Sequence, residues 1–297
     1  MTMSRNKKLF GTLCGIAAAV CYGTNPLGAL KLYGEGMSTP CVLFYRFSLA
    51  WVIIAIVLML RRETVRVDRR ELCTLLGLGA LFAVSSLTLY LSFHLMEAGV
   101  ASTILFIYPV LTAVIMAVFF KERASAATWL SIALSLAGVV LLYWTGGESH
   151  LSPAGVALVI ASALSYALYI IVVDRSRLHI SPFKINFYVL ACCALVMLVY
   201  ALVSGDTITL PRSLTAWFFV GWLAVVPAIM ALVLMVYAAK YLGSTPTAIL
   251  GALEPLTAVL IGIFCFGESF SLQLAAGIAL ILAAVVLIAT RKTAVGY

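Results

Sequence analysis

Two ionisable side chains stand inside runs that otherwise carry no charge. Glu254 lies in "ILGALEPLTAVLIG" (249–262) and Arg46 in "LFYRFSLA" (43–50). A charge at the centre of a bilayer costs about 2.5–3.5 kcal/mol on insertion scales, so such residues face one another, a cavity or a solute. A guanidinium at Arg46 can clamp a carboxylate through paired N–H groups. A carboxyl at Glu254 can take an ammonium group or a proton, or the two residues can meet each other. The plain alternatives are that Arg46 snorkels to the interface, or that a fixed ion pair joins two helices.

Proline marks where helices would open. Pro255 follows Glu254, and Pro109 follows Tyr108. A proline frees the carbonyl four residues back, which hydrocarbon tolerates only where that carbonyl faces protein or a watery cavity. Glu254-Pro255 and Tyr108-Pro109 are therefore candidate walls of one cavity. In "CYGTNPLG" (21–28), Gly23 and Pro26 weaken the helix, and Asn25 can offer its amide either to a solute or to the freed backbone. Pro26, Pro109, Pro227 and Pro255 form the hinge set. Tyrosines and serines in apolar runs suit a mostly apolar pocket with a few polar groups, although tyrosine also populates interface belts. The candidate binding set is Tyr22, Asn25, Arg46, Ser86, Tyr90, Tyr108, Tyr166 and Glu254. For Tyr90, which falls near the outer surface by depth, the belt is the stronger alternative.

Catalytic constellations are missing from the sequence. It holds no P-loop, no GxSxG, no HExxH and no cofactor fingerprint. His94, His150 and His179 have no metal spacing, and none of the seven Cys forms a CxxC pair. These observations exclude the common enzyme and metalloprotein classes.

The elements that position these residues follow from composition. Of 297 residues, 64% are hydrophobic and 10% charged, against about 45–50% and about 25% in soluble domains. The chain reads as an all-α, polytopic membrane protein. The net charge of +8 does not mark a nucleic-acid surface, because Lys and Arg sit in short clusters between apolar runs. Ten runs are long enough to span: 9–32, 40–60, 71–93, 98–120, 126–145, 153–173, 182–203, 213–238, 246–266 and 270–290. With the N-terminus in the cytoplasm, 16 of the 19 Lys and Arg fall on the cytoplasmic side; Lys31 and Arg212 fall outside, and Arg46 falls within a span. That bias predicts ten spans with both ends cytoplasmic, in the plasma membrane of a bacterium. By rise per residue, Arg46 lies about 9 Å below the outer surface and Glu254 about 12–15 Å deep, near the midplane.

The runs repeat. "GIAAAVCY" (15–22) aligns with "VIASALSY" (159–166), "PVLTAVIMAVFFKE" (109–122) with "PLTAVLIGIFCFGE" (255–268), and "AGVVLL" (137–142) with "AAVVLI" (283–288). Tyr22 pairs with Tyr166, and Tyr108 with Glu254. Each half (9–145 and 153–290) then holds five spans, and an odd number inverts the second half relative to the first. The loops agree, since basic "KER" (121–123) corresponds to "GES" (267–269), which has no base. Inverted halves place a transport site near the midplane between them. "SIALSLAG" (131–138) and "AAGIALILAA" (275–284) present small residues at four-residue spacing, placing spans five and ten at the periphery, with a homodimer contact as their candidate role.

The paired "P…(F)xxE" segments, "ALEPLTAVLIGIFCFGESFSLQLAAGIALILAAVVL" and "LFYRFSLA" make the chain similar to the EamA-type branch of the drug/metabolite transporter superfamily. The resemblance covers nearly all of the sequence. It implies two inverted EamA repeats and a secondary transporter, an exporter of small organic metabolites such as amino acids, with a solute and the lipid bilayer as partners and no cofactor. The first half departs from the pattern at "FHLMEAGVAST", which carries His94 and Glu97 where the second half reads "YAAKYLGSTPT". The alternatives are a passive channel or an exporter of hydrophobic amines. Saturable exchange separates carrier from channel.

Overall fold

The computed structural model describes residues 5–120, 126–144, 152–176, 178, 180–242, 250–251 and 253–292. "KER" at 121–123, His150 and His179 lie outside them. The described regular structure is helical, as expected. Seven stretches are long and apolar enough to cross a membrane, and three shorter apolar ones cover Trp129–Leu141, Leu253–Phe266 and Leu272–Leu287.

Prolines decide where the long helices break. The first run is two helices, α1 (Arg5–Gly23) and α2 (Asn25–Gly34), parted at Thr24. Pro26 cannot donate to the carbonyl of Tyr22, four residues back. The Asn25 side chain fills that gap, its Nδ2 donating to Tyr22 O at 2.9 Å, while Thr24 Oγ1 donates to Cys21 O at 2.7 Å. Asn25 thus spends its amide N–H on the freed backbone. The break also needs Gly23, where a Cβ would lie 2.7 Å from the Glu254 carbonyl.

Two unbroken helices follow, α3 (Thr39–Leu60) and α4 (Arg69–Ser92). The fourth run splits into α5 (Ala98–Leu105) and α6 (Tyr108–Phe119), with Pro109 in the first turn of α6. Then come α7 (Ala126–Trp144), α8 (Pro153–Arg175) and α9 (Pro182–Ser204). Pro227 sits in a π turn, Val226–Met230, between α10 (Leu214–Val225) and α11 (Ala231–Leu242). The chain ends with α12 (Leu253–Phe266), which carries Glu254-Pro255 in its first turn, and α13 (Leu272–Lys292).

Small residues let these helices approach closely, as packing inside a membrane requires. α4 packs on both α8 and α9. Ser162 Oγ donates to Ser85 O at 2.7 Å, and a Cβ at Gly79 would come within 2.8 Å of Cys192 Sγ. α3 lies along α9, and α1 along α11. α7 packs against α13, where a Cβ on Gly138 would stand 3.0 Å from Gly277 O. The small-residue faces expected to meet a second copy of the chain therefore meet each other.

The break at Thr24 gives a measurable expectation. Asn25→Ala leaves the Tyr22 carbonyl without its side-chain donor and the Tyr90 hydroxyl proton without its acceptor. Purified protein in lipid nanodiscs should lose about 1–2 kcal/mol of stability, read as a lowered Tm by intrinsic fluorescence. Asn25→Asp should lower it too, because Asp keeps the acceptor for Tyr90 but loses the donor to Tyr22.

Candidate solute site

Arg46, seven residues into α3, points inward and is only 6% exposed. It does not snorkel. Its Nη1 donates to the Tyr90 hydroxyl at 2.5 Å, and its guanidinium lies 5.5 Å from the Tyr90 ring and 5.6 Å from the Phe47 ring. Tyr90 is 1% exposed on α4. It belongs to the bundle interior and not to an interface belt. Its hydroxyl donates onward to Asn25 Oδ1 at 3.3 Å. A chain of polar contacts thus runs from the α1–α2 break through Asn25 and Tyr90 to Arg46. Tyr33 Oη extends it outward by donating to Tyr90 O at 3.0 Å. Tyr33 also accepts from Thr39 Oγ1 at 3.0 Å and stacks on His94, their rings 4.2 Å apart. Thr39 Oγ1 lies 3.0 Å from His94 Nε2, and burial lowers the His94 pKa from its ordinary value.

The guanidinium is not fully satisfied. Arg46 Nε is buried with no hydrogen-bond partner, and among the described residues no carboxylate pairs with the side chain. Glu254 is not its counter-ion. It sits, half-buried, at the start of α12, with its carboxyl in electrostatic reach of Tyr22, Tyr108 and Tyr166. Tyr22 lies within electrostatic reach of both Arg46 and Glu254.

Beside Arg46 lies a cavity of about 120 Å³. Tyr22, Phe82, Tyr166, Tyr169 and Asn186 line it with Arg46, and the π turn contributes Pro227, Ala228 and Ile229. Tyr166 and Tyr169 are three apart on α8 and lie nearly parallel, at 6° with centroids 5.9 Å apart. Phe82 tilts onto Tyr169 at 5.4 Å. Tyr108 meets Tyr166 edge-on at 4.7 Å. Among the described residues, the hydroxyls of Tyr22, Tyr166 and Tyr169 have no hydrogen-bond partner, so they remain free to meet a guest.

Of the sequence-derived set, Tyr22, Arg46, Tyr166 and Pro227 line the cavity. Asn25 and Tyr90 stand behind Arg46 and position it. Tyr108 supports Tyr166. Glu254 and Ser86 are not among the lining residues, and Ser86 is buried on α4. Phe82, Tyr169 and Asn186 also line the cavity and lie outside that set. Asn186 carried a signal, being an amide one turn inside an apolar run. Phe82 carried none, because phenylalanine suits lipid and interior equally.

These features define a multi-pass membrane protein with a charged, aromatic cavity among broken helices. The profile of the EamA-like transporter family matches the chain twice, at residues 9–144 and 153–290. An "uncharacterized transporter" of Archaeoglobus fulgidus is 30% identical over 284 residues, covering 95% of this chain and 97% of the relative. The "uncharacterized inner membrane transporter YedA" of Escherichia coli K12 is 25% identical over 248 residues, covering 83% and 80%. A solved crystal structure shares the fold, with a TM-score of 0.68 at 20% identity, over 94% of this chain and 98% of that one. The chain belongs to the EamA-like transporter family, a family of transporters and not of enzymes.

The lone guanidinium predicts an asymmetry. Tyr90→Phe strips a buried charge of its bonded hydroxyl and should destabilise the protein by about 1–2 kcal/mol. Arg46→Met removes the charge itself and fills its volume, so it should cost less than Tyr90→Phe or raise the Tm. Thermal unfolding of both variants beside the native protein checks the order.

Proposed function

We propose that the protein is a secondary transporter that moves small organic solutes bearing an acid group, amino acids and related compounds first among them, and that it works as an exporter. In this reading ten spans form two inverted five-helix halves, 9–145 and 153–290, with both termini cytoplasmic and the chain in the bacterial inner membrane. The halves rock about the central cavity to expose it to one side at a time. The single observation that carries the proposal is the state of Arg46: a buried cation at the wall of a cavity, with an unpartnered Nε and, among the described residues, no counter-carboxylate.

A solute carboxylate would satisfy that guanidinium. Its apolar or aromatic body would rest against Phe82, Tyr166 and Tyr169, whose rings supply area at little cost in side-chain entropy. Glu254, within electrostatic reach of Tyr22, would receive an ammonium group or a proton from a zwitterion. A simple hydrophobic amine fits less well, because Arg46 would repel it at the cavity wall. Exchange of charge partners gives the site differential affinity between its conformations, which a carrier needs.

The test is counterflow in proteoliposomes preloaded with single amino acids, matched carboxylates lacking the amino group, and matched amines. The native protein should show saturable exchange of carboxylate-bearing solutes. Arg46→Ala should abolish it, and Glu254→Gln should reduce it at least about tenfold, the loss of one charge-assisted contact. Tyr166→Ala should raise KM with a smaller effect on the maximal rate. Exchange of amines alone, or exchange untouched by Arg46→Ala, would sink this reading. Flux that does not saturate would identify a passive pore.

A further inference from the structure

The second acid of the "P…(F)xxE" segment has a partner in the opposite half of the chain. α12 ends at Gly267, whose φ of 70° is the left-handed conformation that glycine adopts cheaply. Its N–H bonds Ile263 O at 3.2 Å, and the Glu268 N–H bonds Gly262 O at 3.0 Å. This turn folds the Glu268 side chain back over Gly262, where a Cβ would collide with the carboxyl group. The carboxylate then reaches the first turn of α5. Oε1 accepts from Ala98 N at 2.7 Å and Oε2 from Gly99 N at 3.1 Å. Gly99 is required as well, since a Cβ there would lie 2.9 Å from Oε2 and 3.0 Å from Val259 Cα.

A second contact runs the other way. Glu97, just before α5, accepts from Ser269 Oγ at 3.0 Å and Ser269 N at 3.3 Å. The turn before α5 and the turn after α12 therefore clasp each other through two carboxylates and four donors. α5 is a short arm of 8 residues. Its far end is the break at Phe106–Ile107, next to Tyr108 and the aromatic wall of the cavity.

We propose that the Glu268–Glu97 clasp is a releasable gate on the outer face, holding the α5 arm of the first half against α12 of the second, and that its release lets the arm swing about Phe106–Ile107. The functional meaning rests on the alternating-access reading above. Three features make the contact a gate and not a permanent staple. Among the described residues no basic side chain pairs with either carboxylate; Lys31 has its Nζ 5.6 Å from the Phe266 ring centroid. Burial and the neighbouring Glu97 both oppose the charge on Glu268, and only the N–H groups of Ala98 and Gly99 offset them. Gly267, Ser269 and Phe270 are exposed, so water is at hand to take over the freed groups.

The proposal is tested by spin-label distances between Leu95→Cys and Phe270→Cys, two exposed sites that flank the clasp, in the full chain in nanodiscs with its seven native cysteines replaced. The native distribution should be dominated by one short distance. Glu268→Ala should raise the population of a longer distance about tenfold, the loss of a pair of charge-assisted bonds. Glu268→Gln, which keeps one neutral acceptor, should fall between. If Glu268→Ala does not fold, Glu268→Gln and Ser269→Ala carry the comparison. A lowered Tm with an unchanged distance distribution in these variants would overturn the proposal and leave a static helix cap. No solute enters the measurement, so its outcome is separate from that of the transport assay.

Discussion

Hydrocarbon leaves no backbone polar group to water, and this constraint shapes the rest of the structure. An unbroken helix meets it alone. The break at Thr24 needs help from a side chain, and that side chain also supports the site. Asn25 repairs the carbonyl that Pro26 orphans, and its remaining oxygen holds Tyr90. Tyr90 in turn holds Arg46. At the start of α5, orphan N–H groups are met from the other half by Glu268. Repairs that cross between elements couple those elements, so the helix breaks and the solute cavity form one mechanical unit.

The cost of this arrangement sits at Arg46. A buried guanidinium with one bonded hydroxyl and two neighbouring rings is under-satisfied by the standards of protein interiors. A purely structural site would be expected to complete its bonding. Keeping the deficit in a cavity wall leaves binding energy for a guest. The unpartnered tyrosine hydroxyls repeat the pattern more weakly, since each is apolar in area and polar at its tip.

Most of the helical framework was legible in the sequence, because long apolar runs have few readings and basic loops punctuate them. The breaks at Thr24, at Phe106–Ile107 and in the π turn fall beside Pro26, Pro109 and Pro227, all visible as prolines. Both Arg46 and Glu254 fall within apolar helices, as their runs implied. Rotation about each helix axis was not legible. Depth alone put Tyr90 near an interface, whereas its azimuth turns it onto Arg46. For the same reason the question of whether Arg46 and Glu254 pair could be posed and not answered. Among the described residues the structure shows no pairing between them. Asn25 shows a different limit, since both of its roles were foreseeable, and only the 2.9 Å bond to Tyr22 O chooses the backbone over the solute.

The π turn at Val226–Met230 has a consequence for register. Such a turn carries an extra residue relative to regular α-helix. Everything beyond it is thereby rotated by about 100° relative to an uninterrupted helix. Ile229, within the turn, and Leu232, just beyond it, both line the cavity. The wall is thus set by a counting error in the helix as much as by side-chain identity. Deleting Val226 or Met230, neither of which lines the cavity, would redraw the lining without removing a cavity residue.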